Sequence, residues 1–168
     1  MAQYQIKSNG RKLFDLELDN KVVGKMKLVG FSQSKAEIII GSSHLYQIEP
    51  KSFWSSTKYL KENGKLLLEF RMRWNGKIEI NTYFTANPLT FVFKRKGMFK
   101  NSFLLLTDEE REVLSIVPDF KWSKFNYDYT AEVPENLVGL DGLELLIMTS
   151  LYCIIYIQNQ ESSAAASA

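Results

Sequence analysis

As far as residue 135, the apolar positions of this 168-residue chain tend to recur at every second residue. In "KLFDLELD", Phe14, Leu16 and Leu18 fall on one side and Leu13, Asp15 and Glu17 on the other. In "KLLLEFRMRW", Leu68, Phe70, Met72 and Trp74 alternate with Glu69, Arg71 and Arg73; in "KIEINTYF", Ile78 and Ile80 alternate with Lys77, Glu79 and Asn81. A period of two turns one face of a strand to a core and the other to water. Turn residues stand between the runs: Asn-Gly at 9–10, 63–64 and 75–76, and Asp19-Asn20. Asn-Gly accepts the positive φ that two-residue hairpins require. The pattern predicts about twelve strands, near 3–7, 11–18, 21–29, 36–40, 44–49, 53–59, 65–73, 76–84, 89–95, 101–106, 111–117 and 121–132. The acidic "TDEERE" at 107–112 reads as a hairpin tip. So long a meander removes its exposed edges best by closing into a barrel.

The period then changes. "GLELLIMTSLYCIIYI" (residues 142–157) is apolar nearly all round, because Glu144, Thr149 and Ser150 do not share one helical stripe. Such a helix is buried in protein or in a membrane. A span needs about 20 apolar residues, and a window of that length takes in Asp141 and Glu144 with no Lys or Arg at its flanks. The apolar run itself makes about 22 Å of helix, a length that suits a barrel axis. A barrel of about twelve strands is too wide for its own side chains to fill, and an apolar helix supplies the missing core. The expected fold is therefore mainly β: a closed antiparallel barrel around one buried C-terminal helix near 137–157. One domain covers 1–158, and 159–168 reads as a disordered tail, being small and polar.

Charge adds an asymmetry along the chain. Residues 1–124 hold all 21 Lys and Arg against 13 acids, whereas 125–168 hold six acids and no Lys or Arg. A basic body favours anionic partners, although such charge also serves solubility alone. The single cysteine, Cys153, forms no internal disulfide and fits a reducing compartment. The N-terminus carries no apolar targeting run, so a cytoplasmic location is expected, with no transmembrane span.

Twelve short strands before an axial apolar helix resemble the tubby C-terminal-like superfamily, which includes tubby proteins, phospholipid scramblases and LURP-one-related proteins. The segment "SFLLLTDEEREVLSIVPDFKWSKFNYDYTAEV" is similar to the late strands of LURP-one-related and scramblase-like members, with Lys121, Trp122, Phe125, Tyr127 and Tyr129 in the Lys-Trp and aromatic-rich positions. The resemblance implies a barrel threaded by a helix and, from tubby domains, binding of phosphoinositides. Against the scramblase pattern, the chain has no cysteine cluster, Pro-rich N-terminal segment or acidic calcium loop.

Candidate ligand-binding residues are basic. In "FKRKGMFK", Lys94, Arg95, Lys96 and Lys100 surround a Gly turn with Met98 and Phe99, as a loop meeting an anionic membrane would. In "FRMRW", Arg71 and Arg73 share a strand face, a spacing that can grip a phosphate. "DFKWSKFNYDY" mixes Lys with aromatics, yet it reads better as a wall strand packed on the helix than as a nucleic-acid surface. His44 has no nucleophile motif beside it, and neither a metal cluster nor a phosphate-cradling glycine loop is recognisable. No catalytic residue, cofactor or metal is expected. The sequence points to a non-enzymatic domain that binds anionic phospholipid or phosphoinositide head groups. The alternative is a protein-interaction scaffold without lipid affinity, and a hydrolase using His44 ranks last.

Overall fold

The alternating runs form strands, and the strands close on themselves. A computed structural model describes residues 1–97 and 101–167. It contains β1 (Ala2–Ser8), β2 (Leu13–Leu18), β3 (Lys21–Val29), β4 (Lys35–Ile40), β5 (His44–Pro50), β6 (Thr57–Glu62), β7 (Lys65–Met72), β8 (Ile78–Thr82), β9 (Leu89–Arg95), β10 (Phe103–Thr107), β11 (Glu112–Lys121), β12 (Asn126–Val133) and helix α1 (Leu143–Ala166). Each strand pairs antiparallel with its neighbours in the chain, and β1 pairs with β12 to complete a twelve-stranded barrel.

The helix fills it. Ile6, Leu16, Ile38, Leu60, Leu68, Ile80, Phe93 and Leu105 from the wall join Ile147, Met148, Leu151 and Ile154 of α1 in one buried cluster. Phe70 of the wall meets Tyr152 of α1 edge to face, ring centres 5.7 Å apart. Polar atoms on the helix are handled locally. The Thr149 hydroxyl donates to Leu145 O at 2.8 Å, and Tyr4 donates to Glu144 at 3.2 Å. Cys153 is fully buried, and burial pushes its thiol pKa up, so it packs as a small apolar group.

The helix limits differ from the expected 137–157. Glu135–Leu137 makes only a 3₁₀ turn, and α1 starts at Leu143 behind Gly142. Gly142 has φ 77°, and a Cβ there would lie 3.0 Å from the Phe84 ring, so only glycine fits the entry. At the other end α1 continues through the segment read as a disordered tail, as far as Ala166, with residues 159–166 exposed. Its 24 residues make about 36 Å of helix.

Strand boundaries also move, four of them with consequences for the loops. β7 ends at Met72, so Trp74 is not on the inward face and stands 99% exposed. β6 begins at Thr57, leaving Phe53 and Trp54 in the preceding loop. β11 runs through Pro118 to Lys121, and β12 begins only at Asn126. The last pairing of β10 with β11 is Phe103 with Ile116, so beyond it β11 has one neighbour and tolerates a residue without an N–H. The end of the β11–β12 hairpin is thus a two-stranded ribbon beyond β10.

Candidate functional site

In an up-and-down barrel, connections fall alternately at the two ends. One end carries the loops 9–12, 30–34, 51–56, 73–77, 96–102 and 122–125, which follow the odd-numbered strands. The other carries 19–20, 41–43, 63–64, 83–88, 108–111 and the 134–142 lead into the helix. α1 enters at the second end, where Gly142 meets Phe84, and leaves at the first, where Arg95 holds Glu161.

The exit end collects the exposed aromatics. Among the described residues, every Phe and Trp more than three-quarters exposed lies in its loops: Phe31, Phe53, Trp54, Trp74, Trp122 and Phe125. That set includes all three tryptophans of the chain. Among the described residues, the same loops carry Arg11, Lys12, Lys51, Arg73, Lys77, Lys96 and Lys124, and no Asp or Glu.

Local hydrogen bonds fix the tips. Around Trp74, Gly76 N donates to Arg73 O at 3.0 Å and Lys77 N to Asn75 Oδ1 at 3.1 Å. The β5–β6 loop closes with Lys51 N to Thr57 O at 2.9 Å, and Phe53 and Trp54 pack edge to face at 4.9 Å. Trp122 packs on Phe120 at 5.0 Å, and Asn126 Nδ2 donates to Gly10 O at 2.8 Å, tying the ribbon to the β1–β2 turn. Beneath it, buried Asp128 accepts from Ser8 N at 2.9 Å, from Ser8 Oγ at 3.0 Å and from Lys124 at 3.5 Å. Burial opposes the charge on Asp128, but these donors outweigh it and its pKa falls below the usual carboxylate value. Gln33, at φ 53°, accepts through its carbonyl from Tyr152 Oη at 3.3 Å and through its side chain from Asn159 at 3.2 Å, fastening the β3–β4 loop to the helix.

The basic candidates fall at or near this end. Arg73 pairs with Glu79, and its hydrogen bond holds that carboxyl below the usual range, so the guanidinium is already engaged. Arg71 lies on the outer wall between Thr57 and Glu79. Arg95 is held by both oxygens of Glu161, at 2.8 and 2.7 Å. Lys94 lines a cavity of about 390 Å³ with Lys77 and Gln160, and Lys96 is exposed beside Asn101. Lys100, with Met98 and Phe99, lies outside the described residues. "DFKWSKFNYDY" is not one wall strand: Tyr129 is buried, whereas Trp122 and Phe125 form the ribbon tip. His44 is exposed at the opposite end, its Nδ1 3.0 Å from Glu62.

Among the described residues, one cation faces inward. Lys58 is 5% exposed, donates to Ser34 O at 3.3 Å and lies over the Tyr156 ring at 5.1 Å. Burial lowers its pKa.

Geometry therefore defines a class: a closed antiparallel β-barrel threaded by an apolar helix, with an aromatic and basic rim where that helix leaves. Compared with protein-family models, curated proteins and solved structures, the chain matches none of them. No helix among the described residues is long and apolar enough to cross a membrane, and those residues hold no cluster of metal-ligating side chains.

Proposed function

We propose that the protein is a non-enzymatic binding domain that docks its helix-exit rim on anionic phospholipid surfaces. The observation that carries this reading is the coincidence, among the described residues of one set of loops, of all three tryptophans with seven cations and no acid. Trp and Phe at a membrane surface bury their rings among head groups and upper acyl chains, and Lys or Arg nearby contributes about 1 kcal/mol per charge. Water gives an isolated, fully exposed Trp no such return. The resemblance to the tubby-like superfamily, whose tubby members bind phosphoinositides, supports the same reading.

The test is co-sedimentation of the full chain with neutral, phosphatidylserine-containing and phosphoinositide-containing vesicles, at low and physiological salt. Binding to the anionic vesicles alone, weaker at higher salt, is expected. Failure to sediment with any vesicle overturns the lipid reading and turns the rim toward a protein partner.

A further inference from the structure

Inside the rim lies a cavity of about 620 Å³, where α1 emerges from the barrel. Three charged groups line it. Arg11 comes from the β1–β2 turn, Arg95 from the end of β9 and Glu161 from α1. Arg95 holds Glu161, whereas Arg11 has no ion-pair partner among the described residues. Phe103 and Ile155 are apolar parts of the lining, and Tyr129, raised by burial to about 12, adds a neutral hydroxyl to it. The volume lies within the range of small-molecule sites.

Resting on the lipid-docking reading, we propose that this cavity seats a phospholipid head group that bears a carboxylate and an ammonium beside its phosphate, the phosphoserine type. Two positive groups and one negative line the cavity; such a head group carries two negative groups and one positive. Arg11 and Arg95 match the phosphate and carboxylate, and guanidinium is the side chain best shaped for both. Glu161 matches the ammonium while keeping Arg95 in place. A polyol head group brings no cation, so Glu161 would face its phosphate. A choline head group brings no carboxylate, so one guanidinium would stay unmatched. Selection follows because a head group that sets like charges together, or leaves a lining charge without its counter-charge, loses an attraction and can gain a repulsion.

The experiment separates this seat from the docking that brings it to the membrane. The full chain and its Glu161→Gln and Arg11→Gln variants are titrated with phosphatidylcholine vesicles carrying equal fractions of phosphatidylserine or phosphatidylglycerol. The two lipids have the same net charge. The wild-type chain is expected to bind the serine lipid about fivefold to tenfold more tightly, as one added charge-assisted contact gives. Glu161→Gln removes a negative charge, so general electrostatics strengthens binding to both vesicles, whereas the proposed seat loses its preference for serine. Glu161 lies on the exposed part of α1, so the change spares the core. Arg11→Gln should cost serine-lipid binding more than glycerol-lipid binding. Equal wild-type binding to the two lipids, or a serine preference that survives Glu161→Gln, overturns the seat and leaves rim docking standing. So do equal losses with Arg11→Gln. Binding to neither vesicle overturns rim docking itself, and the seat with it.

Discussion

The two ends of the barrel are built from the same kind of turn and differ almost completely in what the turns display. Among the described residues, the helix-exit end presents six exposed aromatics and, in its loops, seven cations without an acid. The helix-entry loops hold Asp19, Asp108, Glu109, Glu110, Glu135 and Asp141 against Arg111 alone. Their aromatics, Tyr83 and Phe84, are half-buried, and Phe84 guards the helix start. The acids suit the helix start as well: Glu144 lies in the first turn of α1, at the positive end of its dipole, with Asp141 just before it. A closed barrel needs neither feature to fold. The contrast thus separates what the architecture demands of a loop, a tight turn, from what one end carries in addition.

The largest expected effect removes the contrast by removing the strut. Ile147, in the second turn of α1, is fully buried, and Ile147→Asp places an unpaired charge in the core. The variant should lose more than about 4 kcal/mol and show no cooperative thermal unfolding by circular dichroism. A folded variant would mean that the helix is not the core.

Next come the rim aromatics. Trp74→Ala with Trp122→Ala should weaken binding to anionic vesicles roughly thirtyfold, about 2 kcal/mol for the apolar surface withdrawn, with the melting temperature nearly unchanged. Phe84→Ala at the other end should do the reverse, lowering the melting temperature and leaving vesicle binding alone. If both substitutions altered binding alike, the two ends would not differ in function.

Charge should matter less per residue. At physiological salt, where screening holds each exposed charge below about 1 kcal/mol, Lys77→Gln with Lys96→Gln is expected to reduce vesicle affinity about tenfold and to flatten its salt dependence. Glu109→Gln with Glu110→Gln, at the opposite end, should change neither quantity. A general effect of net charge would instead raise affinity in the second pair.

Much of the fold was legible in the sequence because it rests on period and turn chemistry. Leu68, Phe70 and Met72 alternate as a strand must, and the three Asn-Gly pairs each fall between successive strands. The helix limits were not, for two physical reasons. Gly139 and Gly142 take positive φ and delay the helix, while Gln, Glu, Ser and Ala after Ile157 have no breaker among them and continue it. The site was less legible. Phe53, Trp122 and Phe125 were read into strands, and Trp74 into the inward alternation of one, because apolar residues continue an alternation as readily as they end one. Charge was read by halves of the chain, 1–124 against 125–168, but the fold sorts it by alternate connections. A signal was present: in a twelve-strand meander, every second loop shares an end. Reading the odd connections together would have gathered Phe31 and Trp74 with Lys51 and Lys96.

The smallest effect concerns Asp128, which joins the rim to the wall. It is 5% exposed and accepts from the Ser8 backbone, the Ser8 hydroxyl and Lys124, one turn below the Trp122–Phe125 tip. Its folded pKa is lowered, so the folded state binds a proton less readily than the unfolded chain does. The stabilisation is therefore fully present above the unfolded value, near 3.9, and is lost as pH falls through the folded value. Asp128→Asn keeps an oxygen for Ser8 but no charge for Lys124. At pH 7 it should cost about 1 kcal/mol, read as a fall of a few degrees in melting temperature. Between about pH 5 and 2 the wild-type chain should lose that advantage, and the two melting curves should converge. A gap that widened as the solution was acidified would show that Asp128 is held protonated, and that Ser8 and Lys124 do not stabilise its charge.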